Sequence, residues 1–192
     1  MSKGRMEAFS DGVIAIIITI MVLELKVPHG TDLSMLKPLI PIFASYVLSF
    51  IFIGIYWNNH HHLLQATHTI NGAVLWGNLH LLFWLSMIPF ATSWMGENEF
   101  VAAWPVATYG IVLWMCGLAY YILVRALLAN HPKDSTLAIA VGRNTKEITS
   151  LVLYTAAIPL AFYSAAMASI IYVIVAIIWL IPDNRIERTL VK

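Results

Sequence analysis

Two ionisable side chains lie at the N-terminal end of a long apolar segment. Arg5 and Asp11 precede a continuous run of Val, Ile, Ala, Thr, Met and Leu residues. Placing an ionisable group in a membrane is costly, so such residues usually mark an ion pathway or a buried polar network. Arg5 and Asp11 are six residues apart, so on an ideal helix they point about 120° from each other and cannot pair. Each of them is therefore expected to find a partner on another helix.

Side chains that could pair with Arg5 or Asp11 occur in a polar cluster near the end of the second apolar segment. The cluster contains Trp57, Asn58, Asn59, His60, His61 and His62, and a further histidine, His80, lies in the third segment. A hydrogen-bond network between Asp11 and this cluster is expected, and the identity of the participating histidine stays open. Three consecutive histidines fan out around a helix, which favours a network over a metal site. No sequence motif of a catalytic triad or a metalloprotease is present, so no enzyme, cofactor or bound metal is expected.

The first apolar segment has one ordered face. At 100° per residue, Ile16, Thr19, Ile20 and Leu23 lie within about 100° of one another, and a single hydroxyl interrupts this apolar stripe. Asp11 lies about 140° from Ile16 around the helix, which predicts that the side chain of Asp11 faces the helix bundle. The pattern suits a helix that turns the stripe towards a symmetry axis. The ordinary alternative is that the stripe contacts lipid or the protein core.

Composition identifies the class of protein. Of 192 residues, 60% are hydrophobic and 11% are charged, which is typical of an integral membrane protein. Long segments lack Asp, Glu, Lys and Arg entirely. We predict an all-α protein with one domain, residues 1–192, and six transmembrane helices at about 7–25, 36–65, 71–95, 101–128, 147–164 and 168–182. A short turn or helix is expected between the fourth and fifth.

The final apolar run is predicted to be a hairpin of two helices. One helix from Glu147 to Pro182 would be about 54 Å long, against a hydrocarbon core of about 30 Å. Basic residues flank both ends of the run, which favours the same side for both. With both termini in the cytoplasm, nine of the eleven basic residues lie inside and only Lys26 and Lys37 lie outside. The inner set is Lys3, Arg5, Arg125, Lys133, Arg143, Lys146, Arg185, Arg188 and Lys192. A multi-pass protein of the plasma (inner) membrane is expected.

Several short motifs resemble one known family. Arg5-x-x-x-Phe9-Ser10-Asp11-Gly12, followed by Ala15, Ile16 and Thr19, is similar to the first-helix signature of the transmembrane protein 175 family of potassium channels, in its bacterial branch. Tyr56 to His61, and Asn78-Leu79 through Leu82-Phe83 to Ile88-Pro89-Phe90, are also similar. The likeness covers the first half of the chain well and the remainder only in hydropathy.

This resemblance implies a homotetramer in which the first helix of each subunit lines a central potassium pore, surrounded by membrane lipids. By position, Ile16 would form the narrowest apolar ring, with Ile20 and Leu23 further outward and Thr19 contributing hydroxyls. A structural network would contain Arg5, Phe9, Ser10, Asp11, Trp57, Asn59, His60 and His61. Like the family, the chain has no Thr-Val-Gly-Tyr-Gly filter, so a moderate preference for potassium over sodium is expected. No nucleic-acid partner is expected.

Two other functions remain open from the residues alone. Asp11 and the histidines His60 to His62 are also suited to relaying protons, which would make the protein a proton-coupled carrier or a proton leak pathway. A membrane scaffold or metal-binding protein is the third alternative. A channel passes current that follows the potassium gradient, whereas a carrier shows coupled and saturable flux.

Overall fold

The described part of the chain folds into a bundle of α-helices. The structure is a computed structural model that describes residues 2–67, 69–132, 135–141 and 145–180. Its helices are α1 (Lys3–Leu23), α2 (Ile40–Gln65), α3 (Gly72–Ser86), α4 (Ile88–Glu97), α5 (Ala103–Leu128), α6 (Thr136–Val141), α7 (Thr145–Leu160) and α8 (Ala165–Leu180), and a 3₁₀ helix, Leu33–Leu39, leads into α2. Four segments are long and apolar enough to cross a membrane, and α8 is a shorter apolar helix.

The bundle is built around α5, which packs against α3, α4, α7 and α8. On the other side, α1 packs against α2, α3 and α4. The core between these helices consists of aliphatic and aromatic side chains, including the fully buried Phe52, Leu81 and Leu113. α1 therefore lies at one side of the subunit and the α7–α8 pair lies beyond α5. This arrangement leaves one long face of α1 uncovered within a single subunit.

The third spanning segment is divided in two, where the sequence predicts one helix over 71–95. α3 ends at Ser86 and α4 begins at Ile88, with Met87 between them. Pro89 lies in the first turn of α4, and its ring nitrogen has no hydrogen to donate to the carbonyl of the preceding turn. The missing donor interrupts the helical hydrogen bonds. The predicted third span is therefore present as one segment, Gly72–Glu97, but its helix is interrupted at Met87, and Pro89 is the physical reason.

The final apolar run forms the predicted hairpin. α7 and α8 are joined by residues 161–164, just before the junction that the predicted spans 147–164 and 168–182 place between residues 164 and 168. Small side chains allow the two helices to approach closely at this turn: Ala157, Ala161, Ala165 and Ala168 are all buried. α7 contains Pro159 in its last turn, where a proline helps to end a helix.

The predicted fold class is confirmed: the chain is an all-α membrane protein with six spanning segments, which are α1, α2, α3 with α4, α5, α7 and α8. α1 begins four residues earlier than expected, at Lys3. The expected short helix after the fourth span is α6. Lys133, Arg143, Arg185, Arg188 and Lys192, which entered the orientation argument, and the end of the last span at residue 182 lie outside the described residues.

Candidate functional site

α1 has one side that packs against the subunit and one side that does not. The buried side carries Met6, Ser10, Ile14, Ile17 and Met21. The uncovered side carries Ile16, Ile20 and Leu23, whose exposed fractions are 58%, 43% and 78%, together with the exposed Thr19. The four residues expected to form one stripe therefore all face away from their own subunit.

Asp11 is not buried in the bundle as its position on the helix predicted. The buried side chains of α1 centre about 120° from Ile16, in the direction of Ser10, whereas Asp11 lies at the edge of the uncovered side. Its Oδ1 accepts a hydrogen bond of 3.0 Å from Nε1 of Trp57 on α2. The ring of Trp57 stacks on His61, and the amide nitrogen of Gln65 lies 2.9 Å from Nε2 of His61. These four side chains form an exposed branch of polar contacts along α1 and α2.

Ser10 belongs to a second, buried branch. Its hydroxyl donates to the carbonyl of Met6 and accepts a 3.0 Å hydrogen bond from Nδ2 of Asn78 on α3. Oδ1 of Asn78 lies 2.7 Å from Nε2 of His60 on α2. Ser10, His60 and Asn78 are at most 2% exposed. The three side chains join α1, α2 and α3 through hydrogen bonds inside the bundle, where an unpaired polar group would be costly.

The structure thus separates the expected network into two branches and identifies His60 as the histidine that joins Ser10. Asn78, which holds the buried branch together, was not among the predicted site residues. The signal available in the sequence was an asparagine within a predicted spanning segment. Buried polar side chains in a membrane helix are expected to be hydrogen-bonded, but the sequence does not specify which partner they meet.

Three predicted network residues are not brought into either branch. Arg5 is exposed and makes no ion pair or hydrogen bond within the described part of the chain. Phe9 is 50% exposed on the uncovered side of α1. The amide nitrogen of Asn59 donates to the carbonyl of Ile55, one turn earlier in its own helix. The side chains of these residues lie near the network but make no hydrogen bond to another helix within the described part of the chain; the backbone carbonyl of Asn59 accepts a hydrogen bond of 3.5 Å from the hydroxyl of Tyr120 on α5.

The hydroxyl of Thr19 is oriented by its own helix. It donates to the carbonyl of Ile16 over 2.9 Å, so its proton is occupied and its oxygen lone pairs remain available as acceptors. An open groove runs between α1 and α4. The groove is lined by Ile16, Ile20, Phe90 and Trp94, and acidic side chains of Glu24 and Glu97 stand at one end.

The remaining histidines have separate surroundings. Nε1 of Trp84 donates to Nε2 of His80, one turn earlier in α3. Nδ1 of His62 is buried and meets no hydrogen-bond partner among the described residues. Among the residues that the structure describes, no group of three His, Cys, Asp or Glu side chains is placed to hold a metal ion. Cys116 is buried in α5, in the apolar core.

Comparison with known proteins reveals one family. Residues 5–89 match the family model described as the endosomal/lysosomal potassium channel TMEM175. A potassium channel of Chryseobacterium sp. (strain P1-3) is 53% identical over 190 residues, covering 99% of this chain and 98% of the relative. The endosomal/lysosomal proton channel TMEM175 of Gallus gallus is 40% identical over 75 residues, covering 33% of this chain and 15% of that protein.

The fold is also similar to a solved structure. The crystal structure of a lysosomal potassium-selective channel TMEM175 homolog from Chamaesiphon minutus superposes with a TM-score of 0.79. The match has 28% sequence identity and covers 93% of this chain and 96% of the solved chain. The likeness therefore extends over the whole bundle, including the second half, where the sequence motifs are weak.

Proposed function

Since this chain belongs to the TMEM175 family of potassium channels, in its bacterial branch, we propose that it is a homotetrameric channel whose α1 helices line a potassium-conducting pore. The names of the relatives from Chryseobacterium and Chamaesiphon minutus support potassium as the permeant ion. The subunit is a multi-pass membrane protein with no sign of an enzymatic motif in its sequence. We place it in the plasma (inner) membrane with both termini in the cytoplasm, on the distribution of basic residues.

The observation that carries the proposal is the uncovered side of α1. A helix that contacts only lipid has no need of a hydroxyl or a carboxylate on its outer side, yet Thr19 and Asp11 are both exposed there. The same side presents Ile16 and Leu23, which are 58% and 78% exposed. Four copies of this side gathered about an axis would give an apolar pore with one ring of hydroxyls.

A ring of Ile16 side chains is proposed as the constriction. An ion passing a narrow apolar ring must lose part of its hydration shell, and such a ring closes the pore when it dries. Potassium is larger than sodium and holds its water less tightly, so its partial dehydration costs less. The Thr19 oxygen, whose proton is held by the Ile16 carbonyl, would replace part of the lost water. The expected result is a moderate preference for potassium over sodium.

Substitution of Ile16 tests the constriction. In Ile16→Asn, a polar ring would keep the narrow segment wet, because amides hydrogen-bond water. We expect unitary conductance to rise by up to about tenfold, which corresponds to a barrier lower by about 1.4 kcal/mol. The reversal potential under a potassium–sodium gradient should move towards zero. Both quantities are measured with purified protein in planar bilayers.

Ile170→Asn is the matched control. Ile170 on α8 has the same side chain and the same exposed fraction, 58%, but lies on the helix pair beyond α5. Its substitution should leave conductance and reversal potential unchanged. An unaltered current–voltage curve in Ile16→Asn, with the tetramer intact, would exclude Ile16 as the constriction.

Proton permeation is a second candidate function. The relative from Gallus gallus is named as a proton channel, which supports this function. Asp11 and His61 both contact Trp57 in the exposed branch. Asp11 makes no hydrogen bond to a histidine among the described residues, so a direct relay between them is not assembled in the subunit. Reversal potentials measured under a pH gradient without potassium distinguish the two ions. A potential that follows the proton gradient would support proton permeation.

A further inference from the structure

The uncovered side of α1 extends beyond Ile16 to the N-terminal end of the helix. Exposed residues follow one another along it at alternating steps of four and three: Arg5, Phe9, Gly12, Ile16, Thr19 and Leu23. This spacing places residues in one line along a helix, as in helices that pack about a common axis. A Cβ added at Gly12 would meet nothing within 4 Å. The line is therefore uncovered in the subunit from Arg5 to Leu23, and its first member is a cation.

Arg5 lies in line with the residues proposed to line the pore. At 100° per residue it lies about 20° from Ile16 around the helix, and at 1.5 Å per residue it lies about 16 Å nearer the N-terminus. Its side chain is exposed and makes no ion pair or hydrogen bond within the described part of the chain. A guanidinium stays protonated throughout the physiological pH range. The line therefore carries a permanent positive charge at its N-terminal end.

The other charged side chains at this end of α1 lie on different sides of the helix. Lys3 and Glu7 are each about 160° from Arg5 around the helix, and their charged atoms are 3.9 Å apart. Asp11 lies about 120° from Arg5, and its carboxylate accepts a hydrogen bond from Trp57. Within the described part of the chain, no carboxylate is paired with Arg5. Its charge is therefore free to act on ions near the line.

We propose that the four Arg5 side chains form a ring of positive charge at the N-terminal mouth of the pore, and that this ring limits the rate at which potassium enters from that side. The inference rests on the proposed homotetramer, in which the line through Ile16 faces the axis. Four like charges raise the local potential and lower the local concentration of cations. Potassium and sodium carry the same charge and are repelled equally. The ring therefore sets the supply of ions, and selectivity between the two cations is left to Ile16 and Thr19.

The ring makes the two mouths of the pore unequal. At the other end of α1 the line ends at Leu23, and the next residue, Glu24, is an acid. Potassium therefore enters more readily at the C-terminal mouth, which gives inward rectification in the proposed orientation. The effect depends on salt, because charges are screened over about 30 Å at 0.01 M ionic strength and about 3 Å at 1 M. The inequality is large in dilute KCl and small in concentrated KCl.

The experiment compares single-channel currents of the unmodified protein and Arg5→Gln in planar bilayers of uncharged lipid. Symmetrical KCl is varied from about 0.02 M to about 1 M, which spans the range from weak to strong screening. The smaller of the two currents at opposite voltages should rise about threefold in the dilute solution, as expected when a potential of about kT is removed. The ratio of the larger to the smaller current should fall, and it does not depend on how the channel inserted. At 1 M the variant and the unmodified protein should agree.

Two control variants separate charge from structure. Arg5→Lys keeps the positive charge but lacks the planar guanidinium, so it should keep the salt dependence of the unmodified protein. Lys3→Gln removes the same charge from the opposite side of the same helix end, and it should leave the dilute-salt currents nearly unchanged. The reversal potential under a potassium–sodium gradient should be the same in all four proteins.

Three results would overturn the proposal. Unchanged dilute-salt currents in Arg5→Gln would show that Arg5 does not face the pore. An equal rise in Lys3→Gln would assign the effect to the net charge of the helix end, and a full rise in Arg5→Lys would assign it to contacts of the guanidinium. Failure of the ring is distinguishable from failure of the pore, since Ile16→Asn should change the reversal potential and the current at 1 M KCl, where the ring is screened.

Discussion

At the scale of single residues, Asn78 has the greatest structural consequence. One amide group serves two helices: its nitrogen donates to Ser10 on α1, and its oxygen contacts His60 on α2. All three side chains are buried. The amide therefore fixes the position of α1 relative to α2 and α3. α1 is the proposed pore helix. The buried amide of Asn78 lies away from the uncovered side of α1, yet it determines the direction in which that side faces.

Replacing Asn78 tests this role. Asn78→Leu has a similar volume but cannot hydrogen-bond, so it leaves Ser10 and His60 without their partner. We expect the free energy of unfolding to fall by about 1–3 kcal/mol, the usual cost of buried polar groups left unpaired. The measurement is the unfolding of purified protein in mild detergent with increasing denaturing detergent. Asn58→Leu is the control, because Asn58 is exposed on α2; an equal loss in both variants would contradict the argument.

The sequence shows which residues of this region are polar, but not how they pair. A helical wheel fixes the angles between Asp11, Ile16 and Ser10 on one helix. It does not fix the direction in which the neighbouring helices lie, and that is why Asp11 was wrongly expected to face the bundle. The choice among the histidines depends on the axial register between α1, α2 and α3. That register results from packing contacts far apart in the sequence.

At the scale of helices, the packing of α2 against α4 depends on Gly96. An added Cβ at this position would approach the Cα of Ile42 to 3.0 Å and would collide with the hydroxyl of Ser45. A backbone atom cannot move aside as a flexible side chain does. The C-terminal half of the third span, α4, therefore lies close to α2 because residue 96 has no side chain. Nearby, Ser49 links Thr92 of α4 to Tyr109 of α5 through hydrogen bonds of 2.6 and 2.9 Å.

Gly96→Ala should separate these two helices. We expect a loss of about 1–3 kcal/mol in the free energy of unfolding, typical of a side chain forced into a filled space. Gly54→Ala is a suitable control, since a Cβ at Gly54 would meet nothing within 4 Å. Alanine is favoured over glycine inside a helix by up to about 1 kcal/mol, so the control should be neutral or slightly stabilising. Thermal unfolding of both proteins measures the difference; equal stability would show that α4 can move.

The number of spanning segments could be predicted because it follows from lengths. The final 36-residue run is too long for one crossing, and residues with small side chains occur where it turns. The division of the third segment into α3 and α4 was missed, although Pro89 was visible in the sequence. A proline is tolerated inside some membrane helices when neighbouring helices compensate for the missing hydrogen bond. Only the packing around Met87 and Pro89 decides between a tolerated proline and a break.

At the scale of the whole molecule, the proposed homotetramer would account for the uncovered side of α1. Asp11, Thr19, Ser86 and Ser93 are all at least partly exposed along α1, α3 and α4, at positions within spanning segments. Contact between such groups and hydrocarbon is unfavourable. Further copies of the subunit and a water-filled pore would remove these groups from lipid. The proposed homotetramer provides both.

Asp11 should therefore affect assembly more than ion permeation. Asp11→Ala removes the acceptor for Trp57 and a polar group from the proposed subunit boundary, without touching the apolar stripe. We expect the tetramer fraction to fall by about fivefold or more at a fixed protein concentration, equivalent to about 1 kcal/mol. The remaining tetramers should keep their conductance and reversal potential. Asp11→Asn keeps an oxygen acceptor for Trp57 and should recover most of the assembly, whereas Asp32→Ala, in the exposed connection before α2, should have no effect. Native mass spectrometry measures the tetramer fraction, and a normal fraction in Asp11→Ala would remove Asp11 from the assembly contact.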